Sequence, residues 1–454
     1  TGVDLKGLSM EVTFYRDLLD TLKIEPNIWR VQDEQGKSYK TAGDSFLNSS
    51  MSGEMRENYT QLLDDLNDVF VEDIAIARGW LNDEKQADVN FTQSIINEGP
   101  YWQADFAKER GLIDGIYYPD EFKKYLKDSI TKDQKTQNFK KIKKIPDYHY
   151  NWVEKNKPKI AIIYAVGGII SGKSNPGPQG SSIMGDKTIS AAIKDARDDK
   201  SIKAIILRID SGGGSAVASD QMWREIYKTT NDSTNKKPFI ASMSGAAASG
   251  GYYIACEADT IIAQSTTITG SIGVIGMGFN LHELYNSIGI NKEVIKRGEF
   301  SDLLSQSREW TKEENEKMQK SIDYFYREFK NRVLEGRPNL NAENLDDLAL
   351  GRVWTGNEAF NNGLIDQIGG INKTIEIAKV MAKINTEDIE IIEYPDPDRK
   401  KMSKADKNKS NHKLQLFLDL MPDDIRKELN SLNIIPILEN DKIYFMLPYH
   451  IEIN

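Results

Sequence analysis

Apolar residues in this chain gather into short dense runs, separated by stretches with helical spacing. Lys159-Ile-Ala-Ile-Ile-Tyr-Ala-Val166 is rich in β-branched residues and predicts a buried strand. Ala204-Ile-Ile-Leu-Arg-Ile209 predicts a second strand, and Pro238-Phe-Ile-Ala-Ser-Met243 a third. Between them, Lys187 to Asp198 and Ser215 to Thr229 carry apolar residues at helical spacing. Strands alternating with helices predict an α/β fold with a parallel sheet.

The pattern also repeats itself. Ala107-Lys-Glu-Arg-Gly111-Leu-Ile-Asp114 recurs as Ala359-Phe-Asn-Asn-Gly363-Leu-Ile-Asp366. Upstream, the charge-rich helical stretch from Met51 to Gly79 parallels that from Trp310 to Arg337. Further upstream, Thr1-Gly2 parallels Thr269-Gly270, and Phe14-Tyr15-Arg16-Asp17-Leu18-Leu19 parallels Leu281-His282-Glu283-Leu284-Tyr285. Two copies of one unit explain this economically. The copies are unequal: the second has an N-terminal part, about Lys157 to Ile268, that the first lacks. The chain is therefore expected to begin inside its first unit, with on the order of a hundred residues missing, as in a processed or shortened protein.

These patterns divide the chain. Residues 1–128 form a partial first copy, 129–157 a basic mixed linker, and 158–385 the second copy. Residues 394–413, rich in Lys, Asp and Asn, read as a mobile tether. Residues 414–454 follow as a C-terminal segment, with a short helix over Leu414 to Leu432 and two strands over Ile434 to Ile453.

Composition narrows the function class. The 454 residues hold 59 Lys and Arg against 69 Asp and Glu, a net charge of -10. That balance argues against a general nucleic-acid binder. The one cysteine, Cys256, rules out an intrachain disulfide and leaves the redox compartment open. No apolar run approaches the roughly 18 residues of a membrane span, and the first residues do not read as a signal peptide.

Two glycine-rich strand ends are the candidates for chemistry. Ile209-Asp210-Ser211-Gly212-Gly213-Gly214-Ser215 joins a strand to a helix. Its glycines let the backbone approach a ligand and turn N–H groups toward a phosphate or an oxyanion; the bland alternative is a tight turn. Gly245-Ala-Ala-Ala-Ser249-Gly250-Gly251-Tyr252-Tyr253 likewise follows a strand and opens a helix. The helix dipole would favour an anionic Ser249 oxygen, and the Gly250 N–H is a natural oxyanion donor. A plain N-cap serine is the commoner use of such a residue.

A serine nucleophile needs a base. His149, His282, His412 and His450 all lie outside glycine-rich or strand-end contexts, and no G-x-S-x-G elbow occurs. A desolvated lysine can serve instead, because burial lowers its pKa. Lys40, in Gly36-Lys37-Ser38-Tyr39-Lys40-Thr41-Ala42, is the candidate. Its counterpart in the second copy is Ser301, while Ser271 of the second copy becomes Val3 in the first. Complementary loss is what a site shared between two copies would leave, although a surface lysine is the default for Lys40 alone.

Two other motifs carry less. Gly167-Gly-Ile-Ile-Ser-Gly172-Lys173-Ser174 fits the P-loop pattern after a strand, but Asn175-Pro176-Gly177-Pro178 cannot start the helix a P-loop needs. Ser129-Ile-Thr-Lys132 fits S-x-x-K with no K-T-G or S-D-N after it and is attributed to chance.

Together these residues resemble the signal peptide peptidase A family of serine peptidases, also called protease IV. The resemblance rests on Ser211-Gly-Gly-Gly-Ser215, Ala248-Ser249-Gly250-Gly251-Tyr252, Thr269-Gly270-Ser271-Ile272-Gly273, Gly351-Arg-Val-Trp-Thr-Gly356 and Gly363-Leu-Ile-Asp366. It covers Lys157 to about Lys383. Residues 1 to about 128 resemble the second half of the N-terminal domain of the tandem form. Where the family usually has Ser-Pro-Gly-Gly, this chain has Ser211-Gly212-Gly213-Gly214.

The resemblance implies a ClpP/crotonase-like superhelix of repeated β-β-α turns, here in two unequal copies with the first incomplete. It implies Ser249 as nucleophile, Lys40 as general base and Ser271 as the serine that hydrogen-bonds the lysine. Backbone N–H groups around Gly213, Gly214 and Gly250 would form the oxyanion hole. It implies no cofactor or metal, homotetramers, and signal peptides as substrates. It also implies attachment to the cytoplasmic membrane through a segment absent from this chain, with the active site on the extracytoplasmic side. A crotonase-like acyl-CoA enzyme and a non-catalytic oligomeric scaffold are the rival expectations.

Overall fold

The structure, a computed structural model, describes residues 2–131, 157–176, 182–232, 236–394 and 443–446. It has two compact units. Among the described residues, the larger comprises 10–64, 158–176, 182–232, 236–394 and 443–446, and the smaller 2–9, 65–131 and 157.

The larger unit is α/β, as its apolar runs predict. Its main sheet runs in the order Val353–Trp354, Ile268–Gly270, Phe239–Ala248, Ile202–Ser211, Lys159–Val166, Glu390–Tyr394. All neighbours are parallel except the first pair. Continuous apolar runs suit strands that are covered on both faces. Ile160, Ile163, Ile205, Ile206, Leu207, Ile240 and Ala241 are accordingly fully buried. The helices Asp186–Asp198 and Ala216–Asn231 turn Ile189, Ile193, Met222 and Ile226 into this core.

The third strand runs past its apolar segment, to Ala248. Its register with Ile202–Ser211 breaks on the way: Ile209 faces Met243, but Ser211 faces Ala247. The surplus residues bulge, and Asp210 Oδ1 accepts the Ala246 N–H at 3.1 Å. Small side chains over Ser244-Gly-Ala246 make room for the bulge, so apolar content alone places the strand end too early.

A second sheet sets Glu25–Arg30 antiparallel to Ile275–Asn280, followed by Ile443–Met446, Gly213–Ser215, Gly168–Ile170, Ser182–Gly185 and Asn175–Pro176. The P-loop-like stretch thus continues into a strand. Its N–H groups are also engaged: Gly172 donates to Asp186 Oδ1 and Ser174 to Thr188 Oγ1. A carboxylate stands where a phosphate would be needed.

The smaller unit is helical. Val89–Glu98 is capped by Asp88, whose side chain accepts the Phe91 N–H at 2.9 Å, and Ala104–Glu109 follows. Ile95, Tyr101 and Ala107 form its core, and Val3 bridges Tyr101.

Most of the 129–157 and 394–413 segments, the helix expected over Leu414 to Leu432 and Lys132 lie outside the described residues. Of the two strands expected beyond Ile434, the strand Ile443–Met446 is described. No helix among the described residues is long and apolar enough to cross a membrane.

Candidate active site

Ser249 stands at the junction of the strand Phe239–Ala248 and the helix Gly250–Ala255. All six residues of that helix are buried, so the turn cannot swing outward. Ser249 takes φ 55° and ψ −114°, a conformation that side chains rarely adopt. Its N–H donates to Gly270 O at 2.8 Å, and its carbonyl accepts from Tyr253 N–H at 2.8 Å. The Ser249 side chain caps nothing, although the residue occupies the N-cap position. The N-cap reading thus fails on geometry, and the hydroxyl is directed elsewhere.

It is directed at Lys40. Nζ of Lys40 lies 2.7 Å from Ser249 Oγ, 2.9 Å from Ser271 Oγ and 3.1 Å from the Ser271 carbonyl oxygen. All three residues are fully buried. Burial holds the Lys40 amine well below the ordinary lysine range, and no carboxylate opposes that shift. A neutral amine has two N–H groups and one lone pair. The Ser271 carbonyl and hydroxyl can take the two N–H groups, which leaves the lone pair for the Ser249 O–H.

Lys40 reaches this point through contacts distant in sequence. The strand Glu25–Arg30 docks on Ile275–Asn280 and brings the following loop over the Ser271 region. There the loop is clamped by residues 350–352. Tyr39 N–H donates to Leu350 O at 2.9 Å, Gly351 N–H to Ile272 O at 2.9 Å, and Ser271 N–H to Arg352 O at 2.7 Å. Gly351 has φ +88°, and a Cβ there would lie 2.5 to 2.7 Å from the Lys40 N, Cα and Cβ. Only glycine lets that backbone press against the lysine.

Two polar groups brace the same loop. On one side, buried Asp44 pairs with Arg30 and accepts the Ser52 hydroxyl at 2.6 Å, while Ser38 Oγ accepts the Lys40 N–H at 3.1 Å. On the other, the Arg352 guanidinium stacks 3.7 Å from the Tyr39 ring centroid and reaches Glu57 at 3.2 Å. The Tyr39 hydroxyl also donates to Glu57, at 2.7 Å. These bonds, the Tyr39 one first, hold the Glu57 carboxyl below its usual range.

The glycine-rich strand ends meet beside Ser249. A Cβ on Gly250 would come within 3.2 Å of Gly213 Cα, and one on Gly251 within 2.6 Å of the Ser211 carbonyl. Gly250 begins its helix, where an N–H has no intrahelical acceptor. The Gly213 N–H donates to Ser211 Oγ at 3.1 Å, and that hydroxyl donates to Gly167 O. Gly214 lies in the strand Gly213–Ser215, opposite Ile169.

Sequence reasoning named Ser249, Lys40, Ser271, Gly213, Gly214 and Gly250, and the structure gathers the first three into one contact set. It missed the tasks of Tyr39, Asp44, Arg30 and Gly351. For Gly351 a signal existed, since Gly351-Arg-Val-Trp-Thr-Gly356 stood out as a motif. Nothing in its spacing tied it to Lys40.

Comparison with known proteins identifies the family. The sequence profile of Peptidase family S49 matches residues 1–135 and 231–385, which include Lys40, Ser249 and Ser271. Over 385 residues the chain is 39% identical to a chloroplastic serine protease SPPA of Arabidopsis thaliana, covering 84% of this chain and 54% of that one. It is 31% identical to Protease 4 of Salmonella typhi, covering 84% and 59%. A putative signal peptide peptidase SppA of Enterococcus faecium is 35% identical over 44% of this chain and 57% of its own length. The chain thus spans between 54% and 59% of the length of these curated relatives. A solved ClpP1 mutant from Listeria monocytogenes overlaps 47% of this chain and 92% of its own, at 15% identity and a TM-score of 0.30. With the profile matched over most of the chain, and with the matched residues converging on one buried cluster, the chain belongs to Peptidase family S49.

Proposed function

We propose that this protein is a serine endopeptidase that cleaves extended apolar peptides, such as released signal peptides, with Ser249 as nucleophile and Lys40 as general base. The observation that carries the reading is the 2.7 Å separation between Lys40 Nζ and Ser249 Oγ in a fully buried setting. The Ser249 O–H donates to the neutral amine. As the oxygen attacks the scissile carbonyl carbon, the proton passes to Nζ, and the new charge sits on the carbonyl oxygen. Collapse of this intermediate breaks the C–N bond, and the lysine returns the proton to the leaving amine. Water then hydrolyses the acyl-enzyme, with Lys40 again as base.

Ser271 accepts N–H bonds from Lys40 through both its oxygens, which fixes where the lone pair points. The Gly250 N–H is the first oxyanion donor. The Gly213 N–H becomes the second when it leaves Ser211 Oγ. A serine-directed fluorophosphonate tests the reading. It should label Ser249 in the intact protein and fail in Ser249→Ala and Lys40→Met. Labelling at another serine, or equal labelling in Lys40→Met, would overturn it.

A further inference from the structure

One strand of the second sheet stands where a bound peptide would. The strands Gly213–Ser215 and Ile275–Asn280 flank the Ser249–Lys40 pair. Gly213 packs against Gly250, where a Cβ would lie 3.2 Å from Gly213 Cα. Ile275 comes four residues after Ser271, whose two oxygens bond Lys40. The outer edges of both strands are taken: Gly214 faces Ile169, and Ile275–Asn280 pairs with Glu25–Arg30. Their inner edges do not pair with each other. Residues 443–446 lie between them and join the two halves of the sheet.

The space between the edges is one strand wide. Neighbouring strands stand about 4.8 Å apart, so two edges joined through a third strand leave a gap of about 9.6 Å, room for a single extended chain. Residues 443–446 run antiparallel to both edges. Tyr444 stands opposite Ser215, Phe445 opposite Gly214 and Met446 opposite Gly213. On the other side, Ile443 stands opposite Gly276 and Tyr444 opposite Ile275. The strand thus runs toward Gly213, the residue that packs on Gly250. Gly213, Gly214 and Gly276 give these edges backbone donors and acceptors with no side chain in the way, which suits recognition by strand addition.

We infer that residues 443–446 are a resident occupant of the peptide groove, and that an extended substrate binds by displacing them and taking over their antiparallel pairing with Gly213–Ser215 and Ile275–Gly276. One gap cannot hold both strands, so the chain's own segment and the substrate compete. The resident segment is covalently attached, which gives it an effective concentration on the order of millimolar. Peptides that pair poorly lose this competition. The apparent affinity of every substrate falls by the fraction of time that the gap is open. Such a role presupposes the peptidase activity proposed above, but the exchange of strands can be read without cleavage.

Peptide binding to the full chain carrying Ser249→Ala tests the exchange. The probe is a fluorescent synthetic peptide of residues 440–449, and the readout is polarisation. Adding Tyr444→Pro and Phe445→Pro removes two backbone N–H groups from the resident strand. Probe binding should then tighten at least about tenfold, as expected if the strand fills the gap about nine-tenths of the time. Adding Ile275→Cys and Tyr444→Cys instead should do the opposite. These two positions are strand partners, and such partners stand about 4.5 to 5.5 Å apart between Cα atoms, within disulfide reach. Oxidation should lock the strand in place and abolish probe binding, and reduction should restore it. Native Cys256 is buried, and burial raises its thiol pKa, so it does not compete. Equal affinity with and without the prolines would overturn the inference, and so would probe binding to the oxidised cysteine variant. If the proline variant loses its far-UV spectrum, the cysteine pair decides. Absence of probe binding to every form would make residues 443–446 a fixed member of the sheet and overturn it too. Strand exchange with no peptide cleavage by the chain that keeps Ser249 would sink the peptidase reading alone.

Discussion

The turn that carries Ser249 and the loop that carries Lys40 are held by different kinds of contact. Ser249 is set by its own neighbours: a strand ends, a buried helix begins, and the serine takes the strained conformation between them. Lys40 is set by partners far along the chain, through the strand pairing with Ile275–Asn280 and the clamp at Gly351. The first arrangement is rigid because it is core. The second is as exact as its farthest contact, so damage to it should cost rate before it costs the fold.

Breaking either side at its tip should have the largest effect. Ser249→Ala and Lys40→Met should each lower peptide cleavage by about 10³-fold or more, and the double variant should lose no more than either single one. Additive losses in single-turnover assays would show that the two groups do not act as a unit. Next comes the clamp. Gly351→Ala forces a Cβ into the Lys40 backbone. It should reduce kcat by about 10²-fold with a nearly unchanged KM, as expected for roughly 1 Å of misplacement. An equally large loss of thermal stability would instead assign Gly351 to the core.

The pH dependence separates the two sides further. Burial lowers the Lys40 pKa, and in the proposed mechanism the neutral amine is the base. The labelling rate should therefore rise with pH through a limb lying below the ordinary lysine value of 10.5. Stability should move the same way. Between the lowered folded pKa and 10.5, the unfolded chain binds a proton that the folded chain does not. Folding therefore becomes more favourable as pH rises across that window. Lys40→Met removes this dependence and should raise the melting temperature at neutral pH while abolishing activity. The smallest effect is expected at the outer brace. Tyr39→Phe removes one hydrogen bond to Glu57 and should slow cleavage only a few-fold, about 1 kcal/mol in barrier.

The same contrast governs what could be read from the amino acids. The strands near Lys159, Ala204 and Phe239 were legible because an interior strand needs a dense β-branched run. The helix Asp186–Asp198 appeared within a residue of its expected start. Ser249 was legible because it stands among small residues where a strand gives way to a helix, and a second glycine-rich strand end occurs at Ser211 to Ser215. Lys40 was found by comparing the two repeated stretches, since no local feature distinguishes it from a surface lysine. Asp44 and Arg30 could not be found at all: an ion pair leaves no spacing signature, and Asp44 is buried only after the loop has folded. The end of the third strand was misjudged because the bulge opposite Asp210 is built of small residues without β propensity.

The 209 positions between Lys40 and Ser249 also set a timetable. During synthesis the lysine emerges long before the serine, and before the strand Ile275–Asn280 on which its own segment docks. Until that pairing forms, the amine stays in water, where it is protonated and useless as a base. Contacts of such high sequence separation close late in folding. Under the proposed mechanism, Ser249 therefore gains its proton acceptor only after residues 275–280 have been made and paired, and a chain ending before them carries a serine with no base to deprotonate it.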